Sequence, residues 1–287
     1  MIFRERRLDA TTAIDAQTRR TGDEDSGSRP VSESSDLPDA RPAHAQSARS
    51  SIHARRRWLI AGFAPIVLFA LFADSRVLLD RGFDGQILGN LAAPLYFALV
   101  LAGLRPGERL MAIVFVPFSA VGEYIFSLVF QLYTYKFGAI PLYVPFGHAI
   151  LFSTGLMIAD LPIVRANEGR VRWALLAFHA GLFGGAALAL GDTLSAVFGA
   201  LFVAILLRKR GRPFYLIMGV LVLYIELVGT ALGCWVWEPR PFGALRTTNP
   251  PVGAFVCYVI ADILVMKIAG RLQRWLSPSG RALNQGS

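Results

Sequence analysis

The chain has 287 residues, of which 54% are hydrophobic and 17% are charged, and its mean hydropathy is +0.48. Soluble domains average about 45–50% apolar and about 25% charged residues, so this composition indicates a membrane protein. Two Cys residues exclude a disulfide-built scaffold and a Cys-rich metal or cluster site, and four His residues exclude a di-metal centre of the membrane desaturase type. The net charge of +9 comes from basic residues that cap apolar stretches, so nucleic-acid binding is not expected.

The first 57 residues differ from the rest of the chain. They hold 11 Arg and 9 Asp or Glu, whereas the remaining 230 residues hold 18 Lys or Arg and 11 Asp or Glu. A segment this polar cannot bury enough apolar surface to offset the entropy of ordering, which predicts a disordered cytoplasmic tail over 1–57. Arg55, Arg56 and Arg57 directly precede the first apolar run, as is typical at a cytoplasmic membrane face. A transmembrane bundle is expected over 58–270, and a second cytoplasmic tail over 271–287.

Apolar stretches of membrane-spanning length recur between residues 58 and 270. A transmembrane helix needs about 20 predominantly apolar residues, with a range of about 17–25. This length predicts eight spans: Trp58–Phe72, Gln86–Leu104, Leu110–Leu132, Tyr143–Val164, Trp173–Leu190, Leu194–Leu207, Phe214–Trp237 and Val252–Gly270. The predicted fold is therefore an all-α, polytopic membrane helix bundle with about eight transmembrane helices.

The basic residues predict the orientation of this bundle. If the N-terminus is cytoplasmic, sixteen Lys or Arg residues from Arg55 onward fall on the inner side and five on the outer side, a strong positive-inside bias. All five Trp residues fall at predicted span ends, as an aromatic belt requires. The pattern predicts cytoplasmic N- and C-termini and a multi-pass protein of the cell membrane, which is the inner membrane if the source is bacterial.

The third and seventh spans share a layout. Each contains a Glu near its middle, a pair of aromatic residues about three turns later, a Gly-containing loop, and Pro then Gly at the start of the next span. The matching segments are Glu123–Gly147 and Glu226–Gly253. Both Glu-bearing helices run in the same direction, four spans apart, which is typical of two parallel four-helix halves in repeat-built transporters. Chance, or shared chemistry at the membrane interface, is the alternative explanation of the similarity.

Glu123 and Glu226 are the predicted catalytic residues. An ionisable group deep in a span costs roughly 2.5–3.5 kcal/mol on insertion scales, so such groups usually face a bundle interior or a wet cavity. Four-residue steps extend each acid into a polar stripe, through Ser127, Gln131 and Tyr135 in one helix and Thr230 and Cys234 in the other. We expect both acids at similar depth, shielded from lipid and open to one shared polar cavity. The alternative is that each Glu is protonated, inert and hydrogen-bonded to a neighbouring helix.

Other polar and aromatic residues complete the predicted substrate site. Tyr135, His148 and Trp237 are expected at the outer mouth of the cavity, because the aromatic residues follow each Glu by about three turns. His148 has a satisfied hydrogen bond between helices as its alternative role. Gly229 and Gly233 predict close helix packing or, alternatively, room for a flat ligand beside Glu226. The predicted substrate-binding residues are Ser127, Gln131, Tyr135, His148, Thr230, Trp235, Trp237 and Asp262.

The segment from Glu123 through Tyr133-Thr134-Tyr135, Gly138 and Val144-Pro145 resembles the membrane-embedded carotenoid hydratase family. That family's pattern has an intramembrane Glu, then aromatic and Gly residues, then a Val-Pro start to the next helix, and the resemblance covers roughly a tenth of the chain. The chain departs from it by a second copy around Glu226 and by lacking a Trp after Val144-Pro145. The resemblance implies acid-catalysed addition of water to an isoprenoid double bond, with Glu123 as proton donor. Small membrane terpene cyclases, which protonate olefins or epoxides with buried acids, are similar in architecture.

Three functional hypotheses remain open at this point. The first is a hydratase, lyase or cyclase acting on a lipophilic substrate, with Tyr135, Trp235 and Trp237 stabilising a carbocation and with no cofactor or metal. The second is a proton-coupled transporter, favoured by the repeated layout and disfavoured by the lack of Pro- or Gly-broken helices in both halves. The third is a non-enzymatic membrane assembly protein. Membrane lipids and a lipophilic small molecule are the expected partners, and nucleic acid is not expected.

Overall fold

The computed structural model describes residues 41–209 and 211–276, with side chains described from residue 54 onward. Over these residues the chain is largely helical, with one two-stranded ribbon. Residues 1–40 of the predicted N-terminal tail and residues 277–287 of the predicted C-terminal tail lie outside the described residues. The first helix begins at Arg41 and the last ends at Leu276, so helical structure extends past both predicted ends of the bundle.

Ten α-helices occur in the described ranges. They are α1 (Arg41–Ala73), α2 (Arg76–Leu79), α3 (Gln86–Gly103), α4 (Pro106–Glu123), α5 (Tyr143–Ala159), α6 (Pro162–Ala166), α7 (Glu168–Ala189), α8 (Thr193–Arg208), α9 (Pro213–Ala231) and α10 (Phe255–Leu276). A π-helical turn, Tyr124–Val129, continues α4, and 3₁₀ turns occur at Pro241–Gly243 and Val252–Ala254. The strands are β1 (Tyr133–Tyr135) and β2 (Trp235–Trp237), which pair antiparallel.

Six helical segments in the described residues are long and apolar enough to cross a membrane. They are Ala54–Leu79, Gln86–Gly103, Pro106–Val129, Glu168–Ala189, Pro213–Ala231 and Val252–Leu276. The chain is therefore a multi-pass membrane protein built as a helix bundle. The predicted fourth and sixth spans correspond to α5 and α8, which are apolar but shorter, at 17 and 16 residues. Helix α5 ends at Ala159 rather than Val164, because Pro162 opens a separate short helix.

The helices that carry the two Glu residues end earlier than predicted. After α4 and its π-helical turn, the chain reverses at Gln131, whose φ is 51°. Helix α9 ends at Ala231 rather than Trp237, and Gly233 then adopts a φ of 69°, a left-handed conformation that glycine takes at little cost. Each reversal leads into one strand of the ribbon, so the aromatic pairs fold back toward the acids instead of continuing away from them.

Helix α5 lies at the centre of the bundle. It packs against α3, α4 and α9, and α10 in turn packs against α4 and α9. Eleven of the 17 residues of α5 are buried. Phe115, Phe152 and Phe255 are fully buried, so α4, α5 and α10 contribute to one continuous core. These contacts bring together the four helices that hold the site described below.

Buried ion pairs join segments that are distant in the chain, and one of them lies at the N-terminal end of α4. At the N-terminal end, Arg56 is 3% exposed; it pairs with Glu108 and, at 2.8 Å, with Asp160. Arg56 thus joins α1, α4 and the end of α5, whereas the sequence placed it in a disordered tail. A second pair joins the residue after β1 to the residue after α1. Lys136 Nζ lies 2.8 Å from Asp74 Oδ1, and both side chains are at most 1% exposed.

Candidate functional site

The ribbon formed by β1 and β2 directs four aromatic side chains toward the bundle interior. Tyr133 pairs with Trp237, and Tyr135 pairs with Trp235. Side chains alternate between the two faces of a strand, so these four residues share one face. All four are at most 8% exposed. The ribbon is therefore an aromatic cap that covers the ends of α4 and α9.

Glu123 lies beneath this cap and accepts hydrogen bonds from it. Its Oε2 accepts from the hydroxyl of Tyr133 at 2.8 Å and from that of Tyr135 at 2.6 Å. Its Oε1 lies 2.8 Å from Nε2 of His148, in the second turn of α5. All three partners are protein side chains. Glu123 itself is only 4% exposed, so its carboxylate is desolvated. The contact with His148 places one shareable proton between the two side chains.

Glu226 has a matching set of partners. Its Oε2 accepts hydrogen bonds from Nε1 of Trp235 and of Trp237, both at 3.0 Å. Its Oε1 accepts from the hydroxyl of Tyr258, at 3.1 Å, in the first turn of α10. An indole N–H donates and cannot accept, so Oε2 of Glu226 carries no proton in this arrangement. Any proton on Glu226 therefore lies on Oε1, beside Tyr258.

Direct ring contacts join the two sets. His148 and Tyr258 stack with centroids 4.7 Å apart and planes 10° apart. Across the ribbon, the Tyr133 and Trp237 centroids are also 4.7 Å apart. We refer to the eight joined residues as the carboxylate cluster: Glu123, Tyr133, Tyr135, His148, Glu226, Trp235, Trp237 and Tyr258. Each half contains one Glu, two strand aromatics on Oε2, and one ring from the following helix on Oε1.

Local sequence explains how the aromatic side chains reach the acids. A Cβ at Gly229 would lie 2.0 Å from Cη2 of Trp235, so only glycine leaves room for that indole over α9. This room, rather than packing between helices or space for a ligand, accounts for Gly229. The hydroxyl of Ser127 donates to the Tyr133 carbonyl at 3.2 Å, and the side-chain oxygen of Asn249 accepts from the Trp237 N–H at 3.0 Å. These bonds fix the register of both strands over the acids.

Two cavities meet at the carboxylate cluster. The inner chamber, of about 80 Å³, lies among α1, α5 and α9, and its apolar lining includes Val67, Leu71 and Leu151. The side cavity, of about 260 Å³, lies between α4 and α10. Six residues of the cluster line both spaces: Glu123, Tyr133, His148, Glu226, Trp237 and Tyr258. The two acids thus face the same cavities, whose other walls are largely apolar rather than polar as expected from the sequence.

Four of the predicted substrate-binding residues lie at the acids themselves. Tyr135 and His148 contact Glu123, and Trp235 and Trp237 contact Glu226. Tyr135 and Trp237 do not lie at an outer mouth three turns away, because the chain reverses after each Glu-bearing helix and returns these aromatics to the carboxylates. His148, also predicted at the mouth, contacts Glu123 from α5.

The other four predicted substrate-binding residues do not line either cavity. Ser127 supports β1, and Gln131 is exposed at the turn. The Thr230 hydroxyl donates to the Glu226 carbonyl at 2.6 Å, within its own helix. Asp262 is completely buried in α10, and neither of its carboxylate oxygens has a hydrogen-bond partner among the described residues. The predicted polar stripes required regular helices through Tyr135 and Cys234, and both helices end before those positions.

Two members of the cluster were not among the predicted site residues. Tyr133 appeared in the sequence only as part of an aromatic pair, and strand alternation is what places it beside Tyr135 on Glu123. Tyr258 occupies the place on Glu226 that His148 occupies on Glu123. A search for a polar ring early in the helix after each Glu-bearing span would have found Tyr258.

The cavities offer acids and aromatic donors but no basic side chain besides His148. Neither described lining includes Lys or Arg. Tyr133 and Tyr135, which lie in the strand outside the six apolar spans, have pKa values raised well above the ordinary value by burial and by the Glu123 charge, so they remain neutral donors. Burial likewise raises the pKa of Cys234 to about 12, and its thiol donates to the Leu71 carbonyl at 3.2 Å, a packing role.

Among the described residues, no group of three or more His, Cys, Asp and Glu side chains is placed to hold a metal ion. Comparisons with protein-family models, curated proteins and solved structures found no match to the chain.

Proposed function

We propose that this chain is an enzyme of the cell membrane that performs acid-catalysed hydration or cyclisation on an isoprenoid or other lipid inside the bundle. The observation that carries the proposal is the carboxylate cluster: two buried acids, joined through stacked rings, face cavities with apolar walls. An apolar wall suits a hydrocarbon, and a proton donor at its end suits addition to a double bond. The reaction requires only protons and, for hydration, water, so it needs no nucleotide or metal.

The proposed topology has eight spans and cytoplasmic termini. Helix α5 rises about 26 Å over its 17 residues, close to the hydrocarbon thickness of about 30 Å, and it is surrounded by other helices. Helices α7 and α8 turn at Gly191, whose φ is 63°, which supports a hairpin of two spans. The excess of basic residues on one side supports the orientation.

The proposed architecture is an internal repeat of two parallel four-helix halves. Matching elements supply matching contacts: α4 and α9 each bring a Glu, β1 and β2 each bring two aromatic donors, and α5 and α10 each bring one ring. The antiparallel pairing of β1 with β2 relates the two halves by an approximate two-fold axis through the ribbon. Shared ancestry of the halves explains this match more simply than two separate origins do.

The two acids have different roles in the proposed reaction. The shared proton of the Glu123–His148 pair is transferred to one carbon of a substrate double bond, which leaves a carbocation on the other carbon. The rings of Trp235, Trp237 and Tyr135 stabilise that cation. In hydration, water adds to the cation and loses its proton to Glu226; in cyclisation, a second double bond closes the ring and Glu226 accepts the proton from the neighbouring carbon. Proton transfer back to Glu123 completes either cycle.

Lipid profiling of cells tests this proposal. Lipids extracted from cells carrying the gene, lacking it, or carrying Glu123→Gln are compared by mass spectrometry. Glu123→Gln is expected to reduce conversion at least about 10²-fold, the usual contribution of a positioned acid. The matched control is Glu238→Gln, because Glu238 is exposed directly after β2 and lies outside both cavities. Identical profiles in the wild type, the deletion and Glu123→Gln would contradict the enzymatic proposal.

A proton-coupled transporter of a small or lipophilic solute is the second candidate. The two matching halves favour it, because each supplies a carboxylate to one shared site. The buried ion pairs of Arg56 and Lys136 are contacts that alternating access would have to break. In proteoliposomes, a transporter should lose its dependence on the pH gradient in Glu226→Gln. An assembly protein, the third possibility, predicts that neither Glu substitution alters a phenotype while the protein remains folded.

A further inference from the structure

The side cavity reaches the outer surface of the bundle between α4 and α10. Its lining includes Val121 and Ile125 on one side and Leu264 on the other. These side chains are 60%, 38% and 42% exposed, respectively, so they belong both to the cavity wall and to the apolar outer surface. In a membrane, that surface faces acyl chains. The cavity therefore connects the hydrocarbon layer with Glu123 and Glu226.

The walls of the side cavity suit a hydrocarbon and not a charged head group. Apart from cluster residues, its polar side chains are Ser119 and Cys257, and the Ser119 hydroxyl is already bonded to the carbonyls of Val116 and Pro145. Its described lining contains no Lys or Arg to balance a phosphate or carboxylate. The two acids at its inner end would repel an anion. A diphosphate group would therefore have no counter-charge there.

The backbone of α4 widens at this place. The π-helical turn Tyr124–Val129 begins directly after Glu123, and its residues Ile125 and Phe126 form part of the cavity wall. Single π-helical turns inside longer helices frequently occur at functional sites. Here the turn separates the acid, which faces inward, from side chains that face the bilayer.

We infer that the side cavity is a lateral portal for a neutral, unsaturated hydrocarbon chain, which enters from the bilayer and presents a double bond to Glu123 and Glu226. This inference rests on the proposed function, and it identifies the substrate class as an uncharged polyene or isoprenoid rather than a phosphorylated one. The volume of about 260 Å³ is below the roughly 300–1,000 Å³ of pockets that enclose drug-sized ligands. It holds the reactive segment while the rest of the chain stays among the lipids.

Gly122 provides a way to close the portal. It lines the side cavity, and a Cβ added there would meet no atom within 4 Å. Gly122→Leu should therefore fill the cavity without displacing the fold. The matched control is Gly181→Leu on α7, because Gly181 also has open space around its Cβ position but lies outside both cavities.

Photolabelling of the full-length protein in lipid nanodiscs tests the portal. The probe is a farnesol carrying a diazirine, and labelled peptides are mapped by mass spectrometry. Labelling is expected on the facing segments 118–126 and 254–264, with competition by squalene but not by farnesyl diphosphate. Gly122→Leu should reduce labelling about tenfold, because the added side chain occupies the space that the probe needs. Gly181→Leu should leave labelling unchanged. Gly122→Ala, a smaller change, should reduce it less and serves if the Leu variant does not fold.

Labelling that is unchanged in both Gly122 variants, or that maps to the outer faces of α7 and α8, would overturn the portal. Equal competition by farnesyl diphosphate would overturn the choice of a neutral chain. Glu123→Gln separates the portal from the reaction, since this variant should still be labelled while it no longer converts lipid. Labelling without any Glu123-dependent change in the lipids supports the portal and contradicts the enzymatic proposal. A Glu123-dependent change in the lipids without labelling of the portal contradicts the portal alone.

Discussion

His148 and Tyr258 stack face to face, with ring centroids 4.7 Å apart, and each ring bonds the Oε1 atom of a different buried Glu. The stack is therefore one of two close ring contacts that connect the acids; the other is between Tyr133, which bonds Glu123, and Trp237, which bonds Glu226. Hydrogen-bonded groups in a desolvated site polarise one another, so a change of charge at Glu123 affects the environment of Glu226.

The stack predicts different effects for two substitutions of Tyr258. Tyr258→Phe keeps the ring and removes one donor to Glu226, so the free energy of unfolding should fall by about 0.5–1.5 kcal/mol. Tyr258→Ala also removes the stacked ring and leaves a void, which should lower it by about 3–5 kcal/mol. Denaturation of purified protein in mixed micelles measures both. Equal losses in the two variants would show that the ring contact contributes nothing.

The sequence predicted a helical membrane bundle because hydropathy and basic residues report directly on the bilayer. It also singled out Glu123 and Glu226, which line the same two cavities in the structure. It did not predict the ribbon, because β1 and β2 are three residues each and far apart in the chain. Pairing between such distant segments leaves no local periodicity.

The error in the predicted polar stripes has a similar cause. Continuous apolar sequence through Leu132 and Trp237 indicated longer helices, but Gln131 and Gly233 adopt left-handed conformations that reverse the chain. Four-residue periodicity is meaningful only where the helix continues. Tyr258 was missed because its spacing from Glu226 differs from that of His148 from Glu123, so the repeat did not indicate it.

Because the Trp235 indole occupies the space beside Gly229, a side chain at position 229 should disturb packing. In Gly229→Ala, the new Cβ would overlap the Trp235 six-membered ring, and overpacking of this kind costs about 1–3 kcal/mol of unfolding free energy. The tryptophan fluorescence spectrum should shift as the indole moves. Gly181→Ala, in open space, is the control and should change neither property. Adding Trp235→Phe to Gly229→Ala should recover part of the loss, because the shorter ring relieves the overlap; no recovery would contradict this explanation.

The ion pair between Lys136 and Asp74 predicts non-additive losses. Lys136→Met leaves a buried carboxylate without its cation, although Tyr143 still donates to Asp74 Oδ2 at 2.8 Å. Breaking such a pair costs about 3–5 kcal/mol, whereas replacing both charges costs less. Lys136→Met combined with Asp74→Asn should therefore be more stable than Lys136→Met alone. Lys267→Met, at an exposed position in α10, should change the free energy of unfolding by less than about 0.5 kcal/mol. A double variant less stable than Lys136→Met would contradict the pairing.

Replacing Asp262 should affect the free energy of unfolding in the opposite direction from replacing Glu226. Both are buried acids, but Glu226 has three donors and Asp262 has no hydrogen-bond partner among the described residues. An unsatisfied buried polar group costs about 1–3 kcal/mol, so Asp262→Val should leave the free energy of unfolding unchanged or raise it by up to that amount. Glu226→Val should lower it, since it leaves two indole N–H groups and one hydroxyl without an acceptor.

Denaturation curves of the two Val variants, measured beside the wild type, make this comparison directly. Lipid profiling of the same cells should show that Asp262→Val retains conversion, because Asp262 lines neither cavity, whereas Glu226→Val abolishes it. A marked loss of stability in Asp262→Val would mean that the carboxylate has a stabilising partner in the folded protein. If Asp262→Val loses lipid conversion but keeps its stability, Asp262 belongs to the substrate site, as the sequence predicted.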